Sequence, residues 1–166
     1  MLRSRLLALA AGAALMAATF GPVAAMAATH PSPPFVKTQN VAKKTVTLFV
    51  EAQSDGANSG FNFNGIAKGD GGVTIPVGWQ VTVLFLNKGP MPHSAVVTKS
   101  PASVAPAFPG AGMKNAKAGV NAGKRAEFTF RAAHAGKYYI ICAVPGHEPA
   151  GMWARLTVSA SAKKAQ

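Results

Sequence analysis

Cysteine and acidic residues are what this chain has least of. Its 166 residues hold one cysteine, four histidines and five Asp and Glu together, against 17 Lys and Arg. One cysteine excludes an intramolecular disulfide framework, a CxxC redox pair and a four-thiolate zinc or iron–sulfur site. Four histidines are too few for a multi-copper enzyme. Charged residues make up only 13% of the chain, yet 49% hydrophobic content is too high for a disordered polymer. The length allows one compact domain with a real core and room for one modest metal or nucleophile site.

Part of the apolar content belongs to a leader. Arg3 and Arg5 precede an uncharged Leu/Ala stretch over residues 6–18, then Gly21-Pro22 and a small-residue run ending Ala25-Met26-Ala27. These are the parts of a secretory signal peptide over residues 1–27, with export to the periplasm or the extracellular space. An uncleaved anchor is the rival reading, but the stretch is Ala-rich and broken by Gly21-Pro22. Loss of Arg3 and Arg5 with the leader leaves a net charge of about +10. The basic residues are scattered, and export argues against nucleic acid. A cationic surface can steer an anionic partner or membrane. A shortage of carboxylates also leaves few native ion pairs for acid to break.

Residues 28–44, with Pro31, Pro33 and Pro34, read as a flexible lead-in, and residues 161–166 as a frayed tail. The intervening domain, residues 45–160, is β almost throughout. Strands are expected at 45–51, 61–64, 72–76, 79–86, 93–99, 125–131, 137–143 and 152–159, with turn signals between them and no 3.6-residue period. That spacing predicts an antiparallel sandwich or barrel. Residues 100–124 carry no clear strand, and a connection of that length is usually functional or has structure of its own.

Cys142, His147 and Met152 recur at five-residue steps between the end of one expected strand and the start of the next. Pro145-Gly146 and Pro149 forbid a helix there and predict a tight turn that gathers the three side chains. Thiolate, imidazole and thioether are the donor set copper favours, and a second imidazole completes a trigonal site with a long axial thioether bond. His93, after Met91-Pro92, supplies that imidazole 49 residues before Cys142. The sulfur donors argue against calcium and magnesium. Zinc accepts this set too, although structural zinc sites rarely use Met. His134 and His30 read as exposed bystanders. Met113 reads equally as core, surface patch or copper-delivery contact.

With Pro92-His93-Ser94 upstream and Gly136-Lys137-Tyr138-Tyr139 before the Cys loop, the chain resembles the blue copper proteins, or cupredoxins. Phe61-Asn62-Phe63-Asn64-Gly65 and the run from Pro145 to Trp153 are most like sulfocyanins, and the C-terminal third is also similar to rusticyanin. The resemblance implies an all-β, Greek-key β-sandwich or barrel of about eight strands, holding one type 1 copper and doing no substrate chemistry. It implies His93, Cys142 and His147 as equatorial ligands and Met152 as the weak axial one. The implied partners are redox proteins such as cytochromes or a terminal oxidase, reached by a monomer with peripheral membrane contact. An apolar shell of Phe61, Phe63, Met91, Tyr138, Ile140 and Trp153 would raise the potential. His147, framed by Pro92, Pro145, Pro149 and Ala150, would be the electron port. Ser94 stands where many members carry Asn. Asn64 reads either as an outward residue of an edge strand or as a partner of the ligand loop. A copper chaperone or sequestering protein using the same ligands is the alternative function. A copper oxidoreductase would need an open coordination position.

Overall fold

The alternating stretches pair into two four-stranded sheets in a computed structural model that describes residues 34–166. In chain order the strands are β1 (Val36–Asn40), β2 (Thr45–Ala52), β3 (Gly72–Pro76), β4 (Gln80–Asn87), β5 (Val96–Thr98), β6 (Arg125–Arg131), β7 (Gly136–Ile141) and β8 (Trp153–Ser159). One sheet runs β1-β2-β4-β6 and the other β3-β8-β7-β5. The expected leader over 1–27 lies outside the described residues.

Strict alternation in β2 and β4 puts Val46, Leu48 and Val50 beside Val81, Val83 and Phe85 on one inner face. Val73, Ile75, Ile140, Leu156 and Val158 bury themselves in the same core from the other sheet. Each such side chain contributes roughly 1.5–3 kcal/mol on leaving water. The segment 101–124 forms no strand but runs along β5, bonding Val97 N–H to Ala111 O at 2.8 Å and Met113 N–H to Ala95 O at 3.1 Å. It drops Phe108 onto Phe130 and Tyr138, with ring centroids 5.5 and 4.7 Å away. The short edge strand β5 is thereby covered rather than left open.

Four sequence expectations change. The lead-in contains β1, whose pattern of one half-buried and four exposed residues shows why composition hides it. An edge strand held by main-chain bonds to β2 needs no apolar alternation. The tail is not frayed: Gln166 exchanges backbone bonds with Thr74 at 2.7 and 3.0 Å, and the Gln39 amide clasps Ala165 at 2.9 and 3.1 Å. It thus bridges the edges β1 and β3 through polar bonds that its sequence does not advertise. The sandwich is mixed, since β2 pairs β4 and β3 pairs β8 in parallel; residue periodicity carries no information on strand direction.

The fourth change concerns residues 61–64. They form isolated bridges, Ala52 with Phe63 and Phe63 with Ile66, rather than a strand. Both asparagines are fully buried, against the outward placement an edge strand would give. Asn64 pins β2, accepting from Glu51 N–H at 2.8 Å and donating to Phe49 O at 3.0 Å.

Candidate metal centre

His93 lies in the connection between β4 and β5, where its backbone exchanges bonds with Val120 at 3.1 and 2.8 Å. Two features hold that pairing. Asn87, fully buried at the end of β4, donates to Met91 O at 2.7 Å and Val120 O at 2.8 Å and accepts from Gly89 N–H at 2.9 Å. Gly119, at φ 71°, sits so close that a Cβ there would be 2.8 Å from His93 O, so only glycine fits.

Cys142 is the residue after β7, and its N–H donates to Met152 O at 3.1 Å. Between the two, the chain closes a compact turn through His147 N–H to Val144 O (3.2 Å), Gly151 N–H to Glu148 O (2.8 Å) and Met152 N–H to His147 O (3.0 Å). Gly146 and Gly151 supply the positive φ angles, 86° and 95°, that the reversal requires.

The two segments meet at three atoms. Cys142 Sγ lies 3.4 Å from His147 Nδ1 and 3.9 Å from His93 Nδ1, and the two nitrogens are 3.1 Å apart. A point equidistant from all three is about 2 Å from each, close to the 2.0–2.3 Å of transition-metal bonds to imidazole and thiolate. His93 Nε2 is buried without a hydrogen-bond partner, so the ring's orientation serves Nδ1. The donors therefore fit a soft-to-borderline transition metal. Met152 is fully buried and tied by its backbone to both Cys142 and His147. His93, Cys142 and Met152 are all 0% exposed; His147, at 8%, is the member that reaches toward solvent.

Burial sets the proton affinities. It lowers the His93 imidazole to about 4, helped by repulsion from His147, and it lowers His147 as well. It raises the Cys142 thiol, against opposing hydrogen bonds from Ser94 and Val144. Without metal the site therefore holds neutral imidazoles and a protonated thiol, and metal binding must expel the thiol proton. Ser94 joins the two segments: its N–H points at Sγ from 3.4 Å, and its hydroxyl, 3.8 Å from Sγ, accepts from Ala143 N–H at 3.0 Å.

These values define the acid response. The only ion pair among the described residues is Lys88–Glu51 at 3.8 Å, so protonating carboxylates disrupts little. The exceptions are the two buried imidazoles, above all that of His93. Its folded value is below its ordinary 6.5, so the stability tied to its neutral form is complete above pH 6.5 and is lost as pH falls toward 4. Metal-free protein is expected to lose about 3 kcal/mol across that window, and metal-loaded protein much less, because a ligated nitrogen cannot take the proton. Urea unfolding at pH 7 and pH 4, with and without metal, measures the difference.

The apolar surroundings differ in part from expectation. Phe61 meets the His147 ring edge-on at 5.1 Å, Phe63 is fully buried in the core, and Ile140 lies two residues before Cys142 on the buried face. Met91 is 41% exposed. Tyr138 turns to Phe108 and donates its hydroxyl to His134 O at 3.1 Å. Trp153 packs with Tyr139 in a separate cluster containing Val96, Ile141 and Ala143. Met152, just before β8, belongs to the main core instead, so the two neighbours fall in different clusters. Met113 is buried, with Sδ 3.2 Å from Ala95 N–H, which settles it as packing beneath the His93 segment. His134 is exposed. Asn87 and Gly119 belong to no sequence motif of the site; an Asn closing a strand before Lys88-Gly89-Pro90 is the one signal available.

A two-sheet β-sandwich that brings an upstream His to a Cys-His-Met turn defines the cupredoxin class of blue copper proteins. The family model described as the Sulfocyanin (SoxE) domain matches residues 35–164. Sulfocyanin of Sulfolobus acidocaldarius is 32% identical over 130 residues, a match covering 71% of this chain and 65% of that protein. The chain thus matches less than two thirds of that relative's length. Among solved structures, auracyanin B aligns with TM-score 0.52 and 24% identity over 75% of this chain and 94% of its own. The copper protein rusticyanin gives 0.52 and 24% over 76% and 88%. A multicopper oxidase from Campylobacter jejuni gives 0.53 and 14% over 79% and 29%. These structures share the fold. The chain belongs to the sulfocyanin family, and its cofactor is copper.

Proposed function

We propose that this chain is an exported single-electron carrier in which His93, Cys142, His147 and Met152 hold one type 1 copper. The observation that carries the reading is the meeting of two imidazole nitrogens and one thiol sulfur, from distant segments, around a point at bonding distance from each. Copper supplies a one-electron couple. The protein's part is to keep its donors still: Ser94 ties Sγ to the His93 segment, Val120 fixes the His93 backbone, and the Cys142–Met152 bond closes the turn. Donors that need not move between oxidation states lower the cost of transfer.

His147 serves as the electron port, being the donor nearest solvent and flanked by exposed Pro92, Pro145 and Pro149. Such a patch suits brief contact with redox proteins, cytochromes or a terminal oxidase among them, at low interface area. In this reading residues 1–27 are a leader that directs export to the periplasm or the extracellular space, and the protein acts as a monomer. No helix among the described residues is long and apolar enough to cross a membrane, and any membrane contact is peripheral in this reading.

The test is the visible spectrum and voltammogram of the copper-loaded protein. An intense thiolate-to-copper band with reversible one-electron cycling supports the carrier. A colourless complex that surrenders copper quickly to a chelator supports the chaperone or sequestering alternative, against which the complete burial of three donors argues. An oxidoreductase would need the position assigned to Met152 to be open.

Ser94→Ala sharpens the assignment. The hydroxyl near Sγ stabilises thiolate charge, which is greatest when the metal is reduced. Its loss is expected to lower the potential by roughly 20–60 mV, the equivalent of about 0.5–1.5 kcal/mol on a one-electron couple. Voltammetry showing an unchanged or higher potential would reject that role.

A further inference from the structure

The segment leading into Phe61 grips the turn that carries His147 and Met152. Asn58 Nδ2 donates to Phe61 O and to Ala150 O, both at 2.9 Å. Lys68 N–H reaches Gly151 O at 2.8 Å and Gly69 N–H reaches Trp153 O at 3.0 Å. A Cβ on Gly151 would lie 2.6 Å from Lys68 Cγ and 3.2 Å from Asn58 Nδ2, so clasp and turn touch without a gap. Phe61, whose carbonyl Asn58 holds, is the residue whose ring edge meets His147 at 5.1 Å.

The clasp is built on unusual backbone. Asn58 (φ 49°, ψ 41°) and Ser59 (φ 55°, ψ 32°) are successive left-handed residues, a region where side chains other than glycine are uncommon and Asn is best tolerated. Strain of this kind persists where surrounding bonds over-determine it. Here those bonds go to the centre of the ligand turn. The turn needs an outside restraint, because Gly146 and Gly151 leave it two soft joints and its Ala150 N–H to Gly146 O bond is long, at 3.2 Å.

We propose that Asn58 is a positioning residue: by holding Ala150 O and seating Phe61 against His147, it sets where the His147 ring and the Met152 thioether stand relative to Cys142. This rests on the assignment of those three residues as copper ligands. The Phe61-Asn62-Phe63-Asn64 signature then has two parts, a buried pair of asparagines that builds the loop and a leading edge that disciplines the metal turn.

Asn58→Gly tests it, since glycine takes the left-handed conformation freely while removing both side-chain bonds. Asn58→Asp is the companion, isosteric but offering only acceptors to two carbonyls. In copper-free protein, amide hydrogen exchange at Gly151 and Met152 is expected to quicken about tenfold or more in both variants, with β4 and β6 unchanged. In copper-loaded protein, the ratio of the visible bands and the electron paramagnetic hyperfine splitting should shift, because the His147 ring and the Met152 thioether would stand differently relative to Cys142. Unchanged exchange in the turn overturns the proposal. So does faster exchange with the copper spectrum and potential of the parent, which would make the clasp a stability element only. A parent protein without any thiolate-to-copper band overturns the ligand assignment instead, and is told apart because exchange is read without copper.

Discussion

Cys142→Ser is expected to abolish the intense visible absorption of the copper-loaded protein and to weaken copper binding by more than about a hundredfold, since even partners one bond removed from a metal cost 10–100-fold. The sulfur is the donor that both histidine nitrogens face, at 3.4 and 3.9 Å. A serine oxygen is harder, remains protonated at ordinary pH and has no thiolate charge to transfer to the metal. The swap should leave the fold intact, because the oxygen can still accept the Ser94 N–H that now points at Sγ from 3.4 Å. Copper titration followed by absorption, beside thermal unfolding of both metal-free proteins, separates the effects. Retained colour would mean the sulfur is not a ligand.

Asn62→Ala should be strongly destabilising, at roughly 1–3 kcal/mol. The Asn62 side chain is fully buried. Its Oδ1 accepts from Ser54 N–H at 3.2 Å, Ser54 Oγ at 3.3 Å and Gly65 N–H at 3.1 Å. Its Nδ2 donates to Asp55 O at 3.1 Å and Ala57 O at 2.8 Å. Alanine removes all five bonds at once; the residues that lose a partner (Ser54, Asp55, Ala57 and Gly65) are half-buried or exposed, so water replaces part of what is lost. The loop it organises carries Asn58 and Phe61, so weaker copper retention should accompany the lower stability. Denaturant unfolding of the metal-free variant gives the magnitude; a loss below about 1 kcal/mol would show that the loop is held by other contacts.

Seven of the eight observed strands fall in stretches expected as strands; β2, β4 and β8 alternate strictly because burying one face of a sheet imposes that period, whereas β5 is buried throughout. The eighth, β1, carries no such period, since four of its five residues face water. Residues 61–64 show the opposite failure. Their Phe/Asn alternation mimics a strand, but each Asn is buried and spends its amide on nearby backbone, which only the folded loop reveals. Asn58 stood outside every motif, and its partner Ala150 is 92 residues away.

The chemistry of the site was in the residue types themselves. One thiol, one thioether and two imidazoles at those intervals by themselves favour a soft-to-borderline transition metal, because donor softness belongs to the side chain. Placement was different. The 3.1 Å approach of His93 to His147, the exclusion of water from three donors and the grip of residues 58–69 on the turn arise only when two sheets close on each other. Distances between segments depend on the whole packing, which no short stretch of chain encodes.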